Sequence, residues 1–166
     1  MKQTLIPLIS ADKIGARVKE LAAAISAHYR GKDTILLCIL KGGSVFMADL
    51  MRLLEIDYEC EFVRLSSYGD GTKSSGSVRV VSELSGPIRD KHVLIIDCVV
   101  DTGLTLRFLT EQLRKKGPYT VSTCVLLNKS RPGRDSSLVQ LDYVGFSIPD
   151  LFVVGYGLDY DEKYRY

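Results

Sequence analysis

The sequence lacks an excess of charge of either sign, a long hydrophobic run and a cysteine-rich pattern. Its 22 basic and 20 acidic residues leave a net charge of +2, which gives no general reason to expect nucleic-acid binding. No apolar run is long enough to span a bilayer, and Met1 to Pro7 has neither the basic nor the apolar region of a signal peptide. We therefore expect a cytoplasmic protein that binds neither nucleic acid nor membrane.

The few cysteines give no sign of a metal cage. Cys38, Cys60, Cys98 and Cys124 do not pair at metal-ligand spacing, so we expect them to be buried free thiols. The chain also has no internal repeat, linker or low-complexity tract. With 166 residues, 46% of them apolar, residues 1–166 suit a single domain with one core.

Helix-like and strand-like segments alternate along the chain. Helices are predicted between Ser10 and Gly31, over Val45–Leu54, and after Asp101-Thr102-Gly103. Short apolar runs predict strands at Thr34–Leu40, Glu59–Leu65, His92–Val100 and Thr120–Leu127. Repeated βα units predict an α/β fold, in which ligands bind beyond the carboxyl ends of a parallel sheet.

A polar segment, Ser66–Ser77, interrupts this alternation. It contains three glycines and has no hydrophobic periodicity, so it must be a loop. Val78–Leu84 could pair back against the preceding strand, which would make the loop the tip of a long hairpin. Loops of this length in a compact domain are more often functional or mobile than accidental.

The strongest motif is the strand His92–Val100 with the turn Asp101–Thr105 and the helix after it. Helix N-termini present unpaired N–H groups and a positive dipole end, which together favour a phosphate. Gly103 lets the backbone approach a ligand closely, and the hydroxyls of Thr102 and Thr105 can donate further hydrogen bonds. The tripeptide Asp-Thr-Gly alone could merely cap a helix, but the whole strand-turn-helix arrangement is more specific.

This segment resembles the phosphoribosyl-pyrophosphate signature of the type I phosphoribosyltransferases, in which an apolar strand leads into two acids, two aliphatic residues and Asp-Thr-Gly. The resemblance implies a parallel Rossmann-like sheet flanked by helices, with a small hood formed by the chain termini and a long mobile hairpin loop. It implies that Asp97 and Cys98 bind the ribose and that Asp101 is the general acid-base at the purine N7. The 5′-phosphate would be bound by Asp101, Thr102, Gly103, Leu104 and Thr105.

The sequence departs from the family at Cys98, where the pattern has its second acid. A thiol stays neutral unless its pKa is strongly depressed. The departure puts ribose or magnesium affinity in question, but Asp101 is present, so we still expect activity.

Further features resemble the hypoxanthine-guanine branch of this family. Leu40-Lys41-Gly42-Gly43 follows the first strand, where the branch binds pyrophosphate; Lys41 would supply charge and the two glycines would expose backbone N–H groups. Standing alone, this segment could be an ordinary strand-to-helix turn. Ser67-Tyr68 matches the mobile lid of the branch, which would exclude water from an oxocarbenium-like transition state.

Two segments resemble the base-binding residues of the branch. Lys129, at a strand end, would donate to the purine O6, whereas the amino group of adenine would be repelled. Within Pro149–Tyr160, Phe152 would stack on the purine, and the backbone carbonyls of Val153 and Asp159 would bind the base edge. Without the flanking match, Lys129 could be an exposed lysine and Phe152 a core aromatic residue.

The resemblance also implies the remaining participants. Arg165 would join Lys41 at the pyrophosphate, and Mg²⁺ would lie near Asp97 and Asp159, arriving with the substrate. The implied reaction is purine salvage, in which phosphoribosyl pyrophosphate and hypoxanthine or guanine give IMP or GMP and pyrophosphate. Xanthine is a third candidate base. A homodimer or homotetramer is implied as well.

Two alternatives stay open at this point. A binding protein of the same fold could sense phosphoribosyl pyrophosphate or nucleotides without catalysis. The neutral Cys98, in place of the second acid of the family pattern, is compatible with this alternative. An enzyme for uracil or adenine is disfavoured by Lys129 and the Phe152 segment. The sequence shows no appended DNA-binding domain and no basic patch, which favours the purine enzyme over the sensor.

Overall fold

The computed structural model describes residues 5–68, 77–80, 84–130 and 139–166, with the backbone alone for 66–68 and 77–80. The helices of this part of the chain are α1 (Ala11–Tyr29), α2 (Ser44–Met51) and α3 (Leu104–Arg114). Its strands are β1 (Thr34–Leu40), β2 (Glu59–Tyr68), β3 (Ser77–Val80), β4 (His92–Val100), β5 (Thr120–Ser130) and β6 (Tyr143–Pro149). None of the described helices has the length and apolar character needed to cross a lipid bilayer.

The strands form one sheet in the order β3-β2-β1-β4-β5-β6. Five of them run parallel, and β3 pairs antiparallel with β2 at one edge. The strand order reverses at β1, because β2 lies on one side of it while β4, β5 and β6 follow on the other. Ligands of open α/β sheets bind at such a switch point, beyond the carboxyl ends of the strands. Here that point lies just past Leu40 and Val100.

Both faces of the sheet are covered, since successive side chains along each strand point to opposite faces. On one face Leu36 and Leu94 pack in a cluster with α1 and α2. On the other face Ile35 and Ile95 pack in a cluster with α3. This double cover explains why β1 and β4 are continuous apolar runs, and both strands have the predicted bounds.

Two strands run further than the apolar pattern predicts. β2 continues to Tyr68 and β5 to Ser130, beyond the predicted ends at Leu65 and Leu127. Backbone pairing continues in both strands after the side chains become polar, and a criterion based on apolar residues misses these ends. Helix α2 is shorter than predicted and ends at Met51.

The predicted hairpin is confirmed by the antiparallel pairing of β3 with β2. The tip of this hairpin, residues 69–76, lies outside the described residues, as do residues 1–4, 81–83 and 131–138. The mobile loop and the hood formed by the chain termini therefore stay predictions.

The cysteines are free thiols, but one of them is not buried. Cys38, Cys98 and Cys124 lie in the core, whereas Cys60 is exposed. Cys60 shares its face of β2 with Phe62, which is also exposed, while Val63 on the opposite face is buried. The expectation of burial is therefore wrong for Cys60, because only one face of β2 is covered at this position.

Arg17 of α1 fixes the outer edge of the sheet. Its Nε donates to the Gly145 carbonyl at 2.9 Å, and its Nη2 donates to the Val144 carbonyl at 2.8 Å. Both carbonyls belong to β6, the last strand of the sheet in the described part of the chain. The guanidinium thus ties α1 to this edge strand, and its Nη1 pairs with Glu20 at the surface.

Replacing Arg17 with alanine should lower the free energy of unfolding by roughly 1.5–3 kcal/mol, because two carbonyls lose a charged donor. Guanidinium denaturation followed by circular dichroism measures this loss. Glu20→Ala is the matched control, since it removes only the exposed partner and should cost less than about 1 kcal/mol. Equal losses in the two variants would contradict the edge-strand role of Arg17.

Candidate active site

Two helices begin at the switch point with a glycine at the N-cap. Gly43 is the N-cap of α2 and Gly103 the N-cap of α3; neither has a side-chain cap bond, and neither first turn contains an acid. Helix α1 differs, because Ser10 accepts a hydrogen bond from the Lys13 N–H and Asp12 lies in its first turn. Uncapped helix N-termini favour anions. The chain therefore presents two such helix starts after adjacent strands, one on each face of the sheet.

The turn from Asp101 to Thr105 joins β4 to α3. Gly103 has a φ of +85°, a left-handed backbone that glycine adopts without steric cost. The exposed Thr102 accepts a hydrogen bond from the Leu104 N–H at 3.4 Å, and Leu104 and Thr105 open the helix. The residues predicted to bind the 5′-phosphate are thus together in one turn, and their contact with phosphate stays a prediction.

Asp101, directly after β4, meets Lys129, which lies near the carboxyl end of β5. The parallel register pairs Val100 with Asn128, so the residues that follow them are neighbours. Lys129 Nζ lies 4.0 Å from Asp101 Oδ2, and the Lys129 side chain is 11% exposed against 45% for Asp101. Lys129 is therefore not a solvated lysine at a strand end. The pair can donate and accept hydrogen bonds along one edge of a planar ligand.

Asp97 and Cys98 have different surroundings near the end of β4. The Asp97 carboxyl accepts a hydrogen bond from the Cys98 N–H at 2.7 Å, and burial raises the pKa of Asp97 to about 7. Cys98 is fully buried, its Sγ donates to the Tyr156 carbonyl at 3.5 Å, and burial raises its pKa to about 12. The structure thus gives the neutral thiol a partner other than the predicted ribose, and leaves Asp97 as the carboxyl group of the pair.

The Lys41-Gly42-Gly43 segment joins β1 to α2, and the peptide bond between Leu40 and Lys41 is cis. The Gly43 N–H is not available to a ligand, because it donates to the Ile39 carbonyl at 3.1 Å. A Cβ at Gly43 would lie 2.9 Å from the Ile39 oxygen and 3.2 Å from the Ile96 oxygen. The expectation that both glycines expose their N–H groups is therefore wrong for Gly43, which instead allows close packing against β1 and β4.

The end of the chain folds over this loop in two tight turns, Gly155–Leu158 and Tyr160–Lys163, each closed by a β-bridge. Gly157 has a φ of +99°, and a Cβ there would lie only 2.2 Å from the Gly42 oxygen. The backbone around Gly157 therefore rests directly on the loop predicted to bind pyrophosphate.

Lys41 and Arg165, the two cations predicted for pyrophosphate, both contact Glu162. Lys41 Nζ lies 2.7 Å and Arg165 Nη2 3.2 Å from the same oxygen, Oε2 of Glu162. Arg165 also pairs with Asp159 at 3.0 Å and donates to the Gly157 carbonyl at 2.7 Å. Sequence reasoning missed Glu162, since nothing in a run of exposed charged residues near the chain end distinguished it.

Phe152 is 73% exposed, which excludes its role as a core residue. Its ring meets Tyr160 edge to face, with centroids 5.8 Å apart and planes at 90°. The next residue, Val153, packs against the core. Because Lys129 pairs with Ile148 in the parallel β5–β6 register, this segment begins beside the strand end that carries Lys129. The exposed ring can therefore stack on a planar ligand, and Tyr160, which the sequence did not single out, supports it.

The predicted lid residues Ser67 and Tyr68 close the β2 strand, where their backbones pair with Val78 and Ser77. Their side chains and the loop that follows lie outside what the structure describes. The hairpin stands next to β1, on the same edge of the sheet as the Lys41 loop. Closure over the site stays a prediction.

The two acids predicted to hold magnesium, Asp97 and Asp159, have different partners in this structure. In the described parts of the chain, no three Asp, Glu, His or Cys side chains are grouped to hold a metal ion. Asp97 offers a carboxyl oxygen, the ligand type that Mg²⁺ prefers together with water and substrate phosphates. Both Asp159 oxygens are engaged, one by Arg165 at 3.0 Å and the other by the Glu162 N–H at 2.8 Å. Asp97 has backbone partners and no ion pair in the described residues, so its carboxyl fits the predicted metal better than Asp159, which would have to leave Arg165.

Comparison with known proteins agrees with this geometry. Residues 9–161 match the phosphoribosyl transferase domain family. The chain belongs to this family. A hypoxanthine-guanine phosphoribosyltransferase of Mycobacterium bovis is 44% identical over 164 residues, covering 95% of this chain and 80% of the relative. The hypoxanthine phosphoribosyltransferase of Escherichia coli K12 is 40% identical over 168 residues, covering 100% and 93%.

Solved structures of phosphoribosyltransferases share the fold. A hypoxanthine-guanine phosphoribosyltransferase of Bacillus anthracis matches with a TM-score of 0.90 and 38% identity, over 99% of this chain and 95% of that one. A hypoxanthine phosphoribosyltransferase of Staphylococcus aureus matches with a TM-score of 0.88 and 40% identity, over 95% and 85%. The predicted family and fold class are confirmed.

Gly157→Ala should destabilise the phosphoribosyltransferase fold by about 1–3 kcal/mol, since the new Cβ would overlap the Gly42 oxygen and alanine is strained at this φ. Chemical denaturation measures the change. Gly15→Ala is the control, because a Cβ there meets nothing within 4 Å and alanine favours the α1 helix. A Gly157 variant as stable as the wild type would show that the contact with Gly42 is not tight.

Asp97→Asn should make the protein more stable than the wild type at pH 8, by roughly 1–3 kcal/mol, and should change little at pH 4. The folded-state pKa of Asp97, about 7, lies above its unfolded value. The free energy of unfolding of the wild type therefore falls as pH rises toward about 7, because the unfolded chain ionises this carboxyl before the folded protein does. Denaturation of both proteins from pH 4 to pH 8 in magnesium-free buffer measures the difference. A difference that does not grow with pH would argue against a raised pKa.

Proposed function

We propose that this phosphoribosyltransferase transfers the 5-phosphoribosyl group of phosphoribosyl pyrophosphate to hypoxanthine or guanine, forming IMP or GMP and pyrophosphate. The observation that carries the proposal is the Asp101–Lys129 pair, whose charged atoms lie 4.0 Å apart. Asp101 stands shortly before α3, which has a glycine at its N-cap. The helix start suits a phosphate, and the pair suits the N7 and O6 edge of a 6-oxopurine. The relatives at 44% and 40% identity are named for this activity.

The two uncapped helix starts suit a donor with an anionic group at each end. We assign the 5′-phosphate to the turn Asp101–Thr105 and the pyrophosphate to Lys41 and Arg165. The ribose hydroxyls then lie between them, where Asp97 can accept their hydrogen bonds. We assign Cys98 to packing beneath the C-terminal segment, because its buried thiol already donates to a backbone carbonyl.

The purine is held by stacking and by edge contacts. Phe152 offers an exposed ring face, and base stacking is worth about 1–3 kcal/mol in nucleic-acid systems. Lys129 donates to O6, and the backbone carbonyls of Val153 and Asp159 accept from the base. Adenine would place an amino donor against the Lys129 ammonium, which gives discrimination by repulsion.

The reaction exchanges one bond at the ribose C1. The C1–O bond to pyrophosphate breaks, and the leaving group keeps the electron pair. The bond from the purine N9 to C1 forms, and the N7 proton passes to the Asp101 carboxylate. Lys41 and Arg165 stabilise the charge of the leaving pyrophosphate. The Ser67-Tyr68 lid excludes water, which would otherwise hydrolyse the donor.

Asp97 would hold magnesium together with oxygens of the donor. When bound, it supplies neutralisation of the negative charge that develops as the C1–O bond breaks. Asp159, predicted as a second ligand, is tied to Arg165 by an ion pair in this structure, so we assign it first to the position of that arginine.

A regulatory sensor has no observation in its favour. Cys98, which left that alternative open, is buried and neutral and so makes no charge contact with a ligand. The Mycobacterium bovis, Escherichia coli, Bacillus anthracis and Staphylococcus aureus proteins are all named as phosphoribosyltransferases. We further propose that the protein is a homo-oligomer and that it is cytoplasmic. A reducing compartment suits its free thiols.

With magnesium and phosphoribosyl pyrophosphate, the purified protein should form nucleotide from hypoxanthine or guanine and none from adenine or uracil, as measured by chromatography. Lys129→Gln should raise the KM for hypoxanthine roughly 10- to 100-fold, because it removes a charged hydrogen bond to O6. Lys115→Gln, an exposed lysine at the end of α3, is the control and should leave the KM unchanged.

The outcomes separate the candidate functions. Donor binding without turnover of any base would overturn the enzyme proposal in favour of the sensor. A Lys129→Gln variant with the KM of the wild type would remove this lysine from the base site while leaving the reaction in place.

A further inference from the structure

Glu162 occupies a backbone position that glycine or asparagine ordinarily fills. It is a central residue of the turn Tyr160–Lys163, whose ends exchange two backbone hydrogen bonds of 3.0 Å. The central residues Asp161 and Glu162 have φ values of +50° and +61°, as in type I′ turns. A glutamate is less favourable in a left-handed backbone than glycine. The backbone of the turn therefore does not itself favour a glutamate at this position.

The Glu162 carboxylate bridges both cations of the proposed pyrophosphate site. One of its oxygens, Oε2, lies 2.7 Å from Lys41 Nζ and 3.2 Å from Arg165 Nη2. The Glu162 N–H donates to Asp159 at 2.8 Å, which fixes the turn in the orientation that allows this contact.

This arrangement has the chemistry of a bound phosphate oxygen. Two cations share one anionic oxygen, which is how a lysine and an arginine would hold a pyrophosphate oxygen. Pyrophosphate must then displace the carboxylate or bind beside a like charge. The Lys41 and Glu162 side chains are 49% and 67% exposed, so water screens the pair and its exchange for another anion is easy.

We propose that Glu162 is an internal counter-ion that occupies the pyrophosphate end of the donor site in the free protein and is displaced when pyrophosphate binds. The inference rests on the proposed function, because it takes Lys41 and Arg165 as the pyrophosphate ligands. It adds a residue that sets donor affinity and that competes with the product for its cations, which promotes pyrophosphate release after the reaction.

Titration calorimetry of the full chain with magnesium pyrophosphate tests the inference. Glu162→Gln keeps the size of the side chain and removes its charge, so it should bind pyrophosphate about 3- to 10-fold more tightly than the wild type, as expected for two exposed ion pairs. Glu162→Gly removes the charge and suits the positive φ, so it should change affinity in the same direction even if glutamine disturbs the turn.

Asp161→Asn is the matched control. It removes the same charge from the same turn, and within the described part of the chain Asp161 makes no ion pair with Lys41 or Arg165. Its pyrophosphate affinity should stay within about 2-fold of the wild type, because water screens the more distant charge. If Asp161→Asn raised the affinity for pyrophosphate as much as Glu162→Gln does, the effect would come from the net charge of the turn. That result would overturn the specific role of Glu162.

The remaining outcomes separate this inference from the proposed function. If the wild type binds pyrophosphate and both Glu162 variants bind it equally well or more weakly, Glu162 positions the cations and is not a competitor, while the proposed function stands. If the wild type neither binds pyrophosphate nor forms nucleotide, the proposed function fails and the inference fails with it.

Discussion

The site depends on one constraint, the reversal of strand order between β1 and β4. Since both strands are parallel and adjacent, the helices that follow them start at the same edge of the sheet, α2 on one face and α3 on the other. Each helix has a glycine at its N-cap and no acid in its first turn, so both helix starts favour an anion from outside the chain. Lys41 and Asp101 of the candidate site come shortly before these two helix starts.

Several residues in and around the candidate site adopt environments or backbone angles that, taken alone, lower the stability of the fold. Asp97 is buried with a raised pKa, and Glu162 and Tyr156 have positive φ values that suit glycine better. Contacts elsewhere offset these costs. The Tyr156 hydroxyl donates to Asp49 of α2 at 2.6 Å, which ties the C-terminal segment to the helix beneath it. Such local strain is typical of functional sites, where binding rather than stability selects the residue.

The sequence predicted what depends on local pattern and missed what depends on long-range contact. The bounds of β1 and β4 followed from continuous burial, and the Asp101 turn followed from the strand before it. The sequence could not show that Gly43 packs against Ile96, because that carbonyl belongs to a strand more than 50 residues away. The contact of Lys41 with Glu162 spans 121 positions and has no local signal. Residue types were thus predictable, whereas their partners required the sheet order.

The thiol of Cys98 is compatible with the close packing of the C-terminal segment against the core. Its Sγ donates to the Tyr156 carbonyl, and Tyr156 precedes Gly157, which rests on the Gly42 oxygen. An ionised carboxylate at this position can only accept, so it would repel that carbonyl and would be buried without a donor. It would also raise the pKa of Asp97 further by like-charge repulsion. The neutral thiol, which can donate to the Tyr156 carbonyl, therefore suits the tight C-terminal turn better than an ionised carboxylate would.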